Sequence, residues 1–281
     1  MATPAWRRVR GMALPAAALL AAGLVIVAVL FFLAGWRWFV VSTPSMGQSA
    51  PVGSLVLSEP VPASALHTGE VITFTPPGRP GTVYTHRIAG IDEAGGITTR
   101  GDINGTDDPW VLTPLNILGV ATLLPGWGWL VKAVPLLLAG GLTVWAVTRY
   151  WIRGPWQGPV RLFGACAVVS LTVILLRPFI GLTLLGVTTD ESGTRASVAS
   201  TGLLPITVRA EHGTTAELSS GQVSELTATD GEGYYHLSSS ADLPWWGWII
   251  TALLCLLPVF WVLGRGLRSG GPQETPARVP G

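Results

Sequence analysis

The chain of 281 residues is 49% hydrophobic and only 12% charged, and its mean hydropathy of +0.49 is more than a soluble domain carries. The net charge of +1, with no basic stripe interleaved with aromatics, excludes nucleic acid as a partner. Both cysteines, Cys166 and Cys255, lie inside apolar runs, which excludes disulfide, zinc-finger, iron–sulfur and thiol-redox roles for the polar segments.

In chain order, residues 1–11 carry Arg7, Arg8 and Arg10 and precede an apolar run at 12–34, long enough to span roughly 34 Å as a helix. That run is longer than the apolar part of a secretory leader. Trp36, Trp38 and Phe39 follow it as an interfacial belt, so an uncleaved anchor is expected. Residues 35–128 are polar. Further spans are expected at 129–148, 162–187 and 244–263, with a second polar segment at 188–243. Arginines cluster before the first span, in the loop 149–161 and after the fourth span at Arg265 and Arg268. The positive-inside rule then places both termini in the cytoplasm and both polar segments on the outer face of the cell membrane. Every Asp and Glu except Glu274 falls in those two segments. The tail 264–281, rich in Gly and Pro, is predicted to be disordered.

The first polar segment reads as short strands. Val52–Leu57, Glu70–Phe74, Val83–Ile91 and Ile117–Leu123 are β-branched or alternating, and Pro and Gly pairs punctuate them. A mostly β domain follows. It holds two histidines, His67 and His86, and His86 sits in the alternating stretch Val83–Ile88. A lone strand histidine is more often structural than chemical. Downstream, Arg100-Gly101-Asp102-Ile103-Asn104-Gly105-Thr106-Asp107-Asp108 has the composition of a polar turn. Upstream, Thr43-Pro44-Ser45-Met46 lies about ten residues past the first span.

These three pieces, in this order, resemble the type I signal peptidases, in the branch of the endoplasmic reticulum and archaea, which also has bacterial members. The resemblance runs from about Met12 to Leu124. The common bacterial branch uses a Ser-Lys pair, and His86 stands where that lysine would be. The sole lysine, Lys132, opens the second apolar run and reads as an interfacial anchor, which excludes a Ser-Lys mechanism for the exported domain. Two positions depart from the family pattern: Gln48 replaces a proline three residues after the serine, and Ile103 replaces the first Asn of Gly-Asp-Asn-Asn.

The fold class expected is therefore a multi-pass α-helical membrane protein with a mostly β, signal-peptidase-like catalytic domain outside the cytoplasm and a second small β domain. The resemblance implies Ser45 as nucleophile, His86 as base and Asp108 as the carboxylate orienting it, with Asp102 supporting the site through the loop. Asp107 competes with Asp108, which is favoured by its place in the motif. The Ser45 N–H and the Thr43 hydroxyl are the implied oxyanion donors, although Thr43 reads equally as a strand residue. No cofactor or metal is implied. The implied partners are the signal peptides of exported preproteins, membrane lipid and the protein-export channel.

The segment 188–243 has alternating runs at Ala196–Ser200, Leu204–Ala210, Ala216–Ser219, Val223–Thr229 and Tyr234–Ser238, which predict a small sheet or sandwich. His212 and His236 with Glu211, Asp230 and Glu232 lack the spacing of a metal site and read as turns. Arg177-Pro178 interrupts the third run. Its preferred reading ends the span at Leu176, with Arg177 anchored at the interface and Phe179–Leu185 interfacial or opening the β domain. The competing function is a non-enzymatic membrane protein that displays two β modules to an outside partner.

Overall fold

The computed structural model describes residues 19, 22–23, 25–190, 193–210, 213–228 and 237–268. The chain forms two units, Met1–Gly128 with Gly221–Val223, and Trp129–Ser220 with Ser224–Gly281.

In the first unit, residues 25–33 are helical. At the end of this helix the Phe32 carbonyl accepts from the Gly35 N–H at 3.1 Å and from the Arg37 guanidinium at 2.9 Å, as helix-end acceptors require. Six strands follow: β1 (Arg37–Val40), β2 (Leu55–Glu59), β3 (Val71–Phe74), β4 (Tyr84–Ile91), β5 (Ile97–Arg100) and β6 (Ile117–Leu124). They form one sheet in the order β1-β2-β6-β3-β4-β5. All four residues of β3 are buried, because this strand has core on both faces. On one side Ile72 and Phe74 join Leu66, Ile88, Ile97 and Leu112. On the other, Val71 joins Met46 and Ala50. Thr73, within the same buried strand, is satisfied by the Ser58 hydroxyl and the Gly119 carbonyl, as buried hydroxyls require.

The sequence reading missed β1 and β5. β1 carries Trp38 and Phe39, whose aromatic character resembles an interfacial belt, yet it pairs with β2 from Arg37↔Ser58 to Val40↔Leu55. β5 has only four residues, and its pairing with β4 shifts between Ile88 and Gly90.

The second unit holds a β module. The sheet β11-β8-β7 contains β7 (Leu182–Asp190), β8 (Gly193–Ser200) and β11 (Val223–Ala228), and the sheet β10-β9-β12 contains β9 (Ile206–Ala210), β10 (Thr215–Leu218) and β12 (Leu237–Ala241). Val198 and Leu226 from the first sheet share one core with Ile206, Val208, Ala210 and Leu218 from the second. That is the packing of a small sandwich. Glu211, His212, Asp230, Glu232 and His236 lie outside the described residues.

Helices Trp127–Tyr150, Gln157–Leu176 and Trp245–Arg268 accompany the module. Among the described residues, two helical stretches, Trp127–Tyr150 and Gly154–Leu176, are long and apolar enough to cross a membrane. Their apolar surface is almost wholly uncovered by the rest of the chain, so burial inside the protein does not account for it. Trp245–Leu256 is a shorter apolar stretch of the last helix. The first two helices are tied at one end by Thr148, whose hydroxyl accepts from Arg161 at 2.9 Å and whose carbonyl accepts from Gln157 at 2.7 Å.

The bounds 162–187 of the expected span are corrected, in the direction of the reading that ends it at Leu176. Its helix begins earlier, at Gln157, and stops at Leu176, where Arg177 caps it in the left-handed conformation with φ 49°. Pro178 cannot continue the amide ladder, and Leu182–Asp190 is strand β7 rather than helix. The apolar run passes through both elements, and hydropathy alone does not register the change of backbone. The expected second β domain accordingly begins at Leu182 rather than at 188. Residues 264–268, placed in the predicted disordered tail, continue the last helix, and residues 269–281 lie outside the described residues.

Candidate active site

Strand β4 alternates its burial, with His86 and Ile88 inside and Arg87 between them half-buried. This period of two sends His86 and Arg87 to opposite faces of the sheet. His86 lies opposite Ile72 of β3 and is 4% exposed. Tyr84 and Phe74 pack against its ring in T-shaped contacts, at centroid distances of 5.6 and 6.1 Å. Sequence reading treats a strand histidine as structural by default, but this ring has polar partners on both nitrogens.

His86 Nδ1 lies 2.7 Å from Asp108 Oδ2, and His86 Nε2 lies 3.0 Å from Ser45 Oγ. A carboxylate only accepts, so the proton on this tautomer sits at Nδ1 and the Nε2 lone pair faces the Ser45 hydroxyl. Asp108 is fixed in turn by β5. Its N–H donates to the Thr99 carbonyl at 2.8 Å, and its Oδ2 accepts from the Thr99 hydroxyl at 2.6 Å. Thr99 is fully buried. Sequence reasoning missed it. The only available signal was its place three residues before Asp102, next to the Arg-Gly-Asp run.

Asp107 makes a different contact, with its Oδ1 3.5 Å from Arg100 Nη1 at the surface. The structure therefore brings Asp108, and not its neighbour, to His86. His67, the other histidine of this unit, sits in an exposed turn against Glu70 at 3.5 Å. Lys132 belongs to the helix Trp127–Tyr150, with its ammonium 5.3 Å from the Trp129 ring centroid.

The segment around Ser45 is held from beneath and behind. Met46 is 1% exposed and packs with Ala50 and Val71, a burial worth about 1.5–3 kcal/mol. Gly47 closes the turn by donating to the Pro44 carbonyl at 2.8 Å. It adopts φ +52°, and a Cβ there would lie 2.5 Å from Ile103 Cγ2, so both the backbone conformation and the close approach demand glycine. The Ile103 N–H donates to the Ser45 carbonyl at 3.1 Å, and a Cβ on Gly101 would come within 2.7 Å of that same carbonyl. Ile103, one of the two departures from the family pattern, thus fastens the Arg-Gly-Asp loop to the serine segment by backbone and side chain together.

Asp102 does not join the hydrogen-bonded chain of Ser45, His86 and Asp108. Its carboxylate takes both prongs of Arg87, at 2.9 and 2.7 Å, while Arg87 also donates to the Gly69 carbonyl at 2.9 Å and reaches Ser49 Oγ at 3.5 Å. The alternation of β4 explains this placement, because Arg87 leaves the strand on the face away from His86 and draws Asp102 there. Asp102 is a positioning residue that ties the loop to β4 and to the segment behind Ser45.

Burial pulls the Asp102 carboxyl up, but hydrogen bonds from Arg87 and Ser49, with the charges of Arg87 and His86, outweigh it and leave the group below its ordinary value. A depressed carboxylate contributes stability that is complete above its unfolded pKa, about 3.9, and is lost as pH falls through the lower folded value. The melting temperature of the wild-type protein is thus expected to fall more steeply below about pH 4 than that of Asp102→Asn. Thermal unfolding followed across pH checks this. The pair is partly exposed, so the difference at neutral pH should be small.

Beside Ser45 lies a cleft of about 390 Å³, walled by residues 39–43, Ser45 and Met46 on one side and by residues 82–86 on the other. Thr43 stands on this wall and is exposed. Among the described residues the Ser45 N–H donates to no protein group. Ser45 Oγ, His86 and Asp108 form a hydrogen-bonded chain through the two ring nitrogens, an arrangement of the kind that acyl transfer by a serine uses. Compared with protein-family models and with curated proteins, the chain matches none.

Proposed function

We propose that this protein is a membrane-bound serine endopeptidase that removes N-terminal signal peptides from exported preproteins. The observation that carries the reading is the chain of hydrogen bonds from Ser45 through His86 to Asp108, at the spacing that general-base activation of a hydroxyl needs. His86 takes the Ser45 proton as Oγ attacks the scissile carbonyl, and returns it to the leaving amine. Asp108 stabilises the imidazolium formed between those steps. The Ser45 N–H and the Thr43 hydroxyl are the proposed donors to the oxyanion. The cleft beside Ser45 would take the chain before the cut.

The membrane part of the reading rests on the apolar helices. Four spans, both termini in the cytoplasm and both β modules on the outer face are the topology the arginine distribution supports. A signal peptide stays in the bilayer with its cut site at the outer surface, so a tethered serine there meets it at high effective concentration. Signal peptides, lipid and the protein-export channel are the proposed partners.

In depleted cells, the N-termini of secreted proteins should retain their signal peptides. Normal N-termini across the secreted set would contradict the proposal. Thr99→Val should lower kcat roughly tenfold with KM little changed, since a hydrogen bond to a charged group contributes about 1.5 kcal/mol. Thr99→Ser should recover most of the rate, which a purely packing role for Thr99 would not give.

A further inference from the structure

We propose that the base of the second β module is a lipid-seating surface that docks on the phospholipid headgroup interface. The helix Gln157–Leu176 ends at Arg177, and Pro178–Gly181 is then stitched to the loop after β8. Thr201 N–H donates to the Gly181 carbonyl at 2.9 Å, Leu203 N–H to Pro178 at 2.9 Å, and Leu204 N–H to Phe179 at 3.0 Å. The Asp242 N–H donates to the Pro205 carbonyl at 2.9 Å, bringing the start of the helix Trp245–Arg268 to the same place. Three separate stretches of chain are thereby fixed together where the module meets its helices.

This base exposes Phe179, Ile180, Leu203, Trp245, Trp246 and Trp248, each between 39% and 76% accessible, with Arg177 exposed beside them. Lipid is the occupant that fits, for three reasons. The surface continues directly from a helix of membrane length. The five residues 177–181 between that helix and β7 extend at most about 18 Å, so the base stays near the bilayer surface. Tryptophan and arginine beside aliphatic side chains are also the composition of the membrane interface, where indole rings sit at headgroup level and guanidinium reaches phosphate. The carbonyls of Pro178, Phe179, Gly181 and Pro205 are each paired within the module, which lowers the cost of setting this backbone against lipid. The inference rests on the membrane helices and not on the peptidase reading.

The test uses the full chain with Cys166→Ala and Cys255→Ala, carrying a single environment-sensitive fluorophore on Ile180→Cys, Leu203→Cys, Glu217→Cys or Leu171→Cys. Each protein is reconstituted in phosphatidylcholine–phosphatidylglycerol vesicles. Probes at 180 and 203 should be quenched by lipid carrying a doxyl group near the headgroup, should shift to the blue and should be shielded from aqueous iodide. The probe at 217, on β10, should remain open to iodide. Iodide access at 180 and 203 equal to that at 217 would overturn the proposal. So would shielding from iodide without lipid quenching, which would show that protein or a second copy covers the face. The probe at 171, within the helix, separates the two ways of failing. Quenching there by lipid with no quenching at 180 or 203 overturns the seating alone, while none at any site overturns the spanning helix as well.

Discussion

Ser45→Ala or His86→Ala should lower kcat for cleavage of a preprotein by roughly 10⁴–10⁶-fold, leaving membrane insertion and folding intact. Ser45 is half-buried on a turn, and removing its hydroxyl opens no large cavity. His86 is more deeply set, between Tyr84 and Phe74, so His86→Gln is the gentler replacement where the alanine variant is unstable. Because attack and proton transfer are one event, either single loss removes the whole pathway. The double variant Ser45→Ala/His86→Ala should therefore be scarcely slower than either single one. Multiplying losses in a rate assay on reconstituted protein would mean that the two residues act independently and would count against the shared role.

Asp108→Asn is the second large effect, with an expected loss on the order of 10³–10⁴ in kcat and little change in KM. The amide can donate toward His86 Nδ1, which favours the tautomer whose Nε2 carries the proton and cannot accept one from Ser45. Asp107→Asn should leave turnover close to wild type, since Asp107 pairs with Arg100 at the surface and an exposed ion pair contributes little. Steady-state kinetics on the two neighbouring variants check the assignment. A damaging Asp107→Asn with a mild Asp108→Asn would reverse it.

What the sequence displayed, and what it hid, follow from the range of each signal. The alternation around His86 shows a strand directly, because a period of two survives in six residues. The choice between Asp107 and Asp108 is not written in composition. It depends on which carboxylate the loop returns to β5, and the Asp108 N–H bond to the Thr99 carbonyl is a contact between residues nine apart. Thr99 is hidden for the same reason, being an ordinary strand threonine until Asp108 folds back on it. Arg87 stands beside His86 in the motif, yet that adjacency does not reveal its grip on Asp102, which the alternation of β4 sends to the other face. β7 was legible only in part. Its first residues are as apolar as the helix before it, so hydropathy runs through the break, and only Arg177-Pro178 marks where the helix stops. The sandwich core, by contrast, was visible in the alternating Ile206, Val208 and Ala210.

The most direct test of the central claim is cleavage by the purified full-length protein, reconstituted in vesicles, of one preprotein with small residues at the first and third positions before its cut site. Mass spectrometry of the product fixes the new N-terminus. The expected result is a single cut after those small residues with the wild-type protein and uncut preprotein with Ser45→Ala. Equal cleavage by both proteins, or none by correctly inserted wild type, would contradict a peptidase built on Ser45, His86 and Asp108.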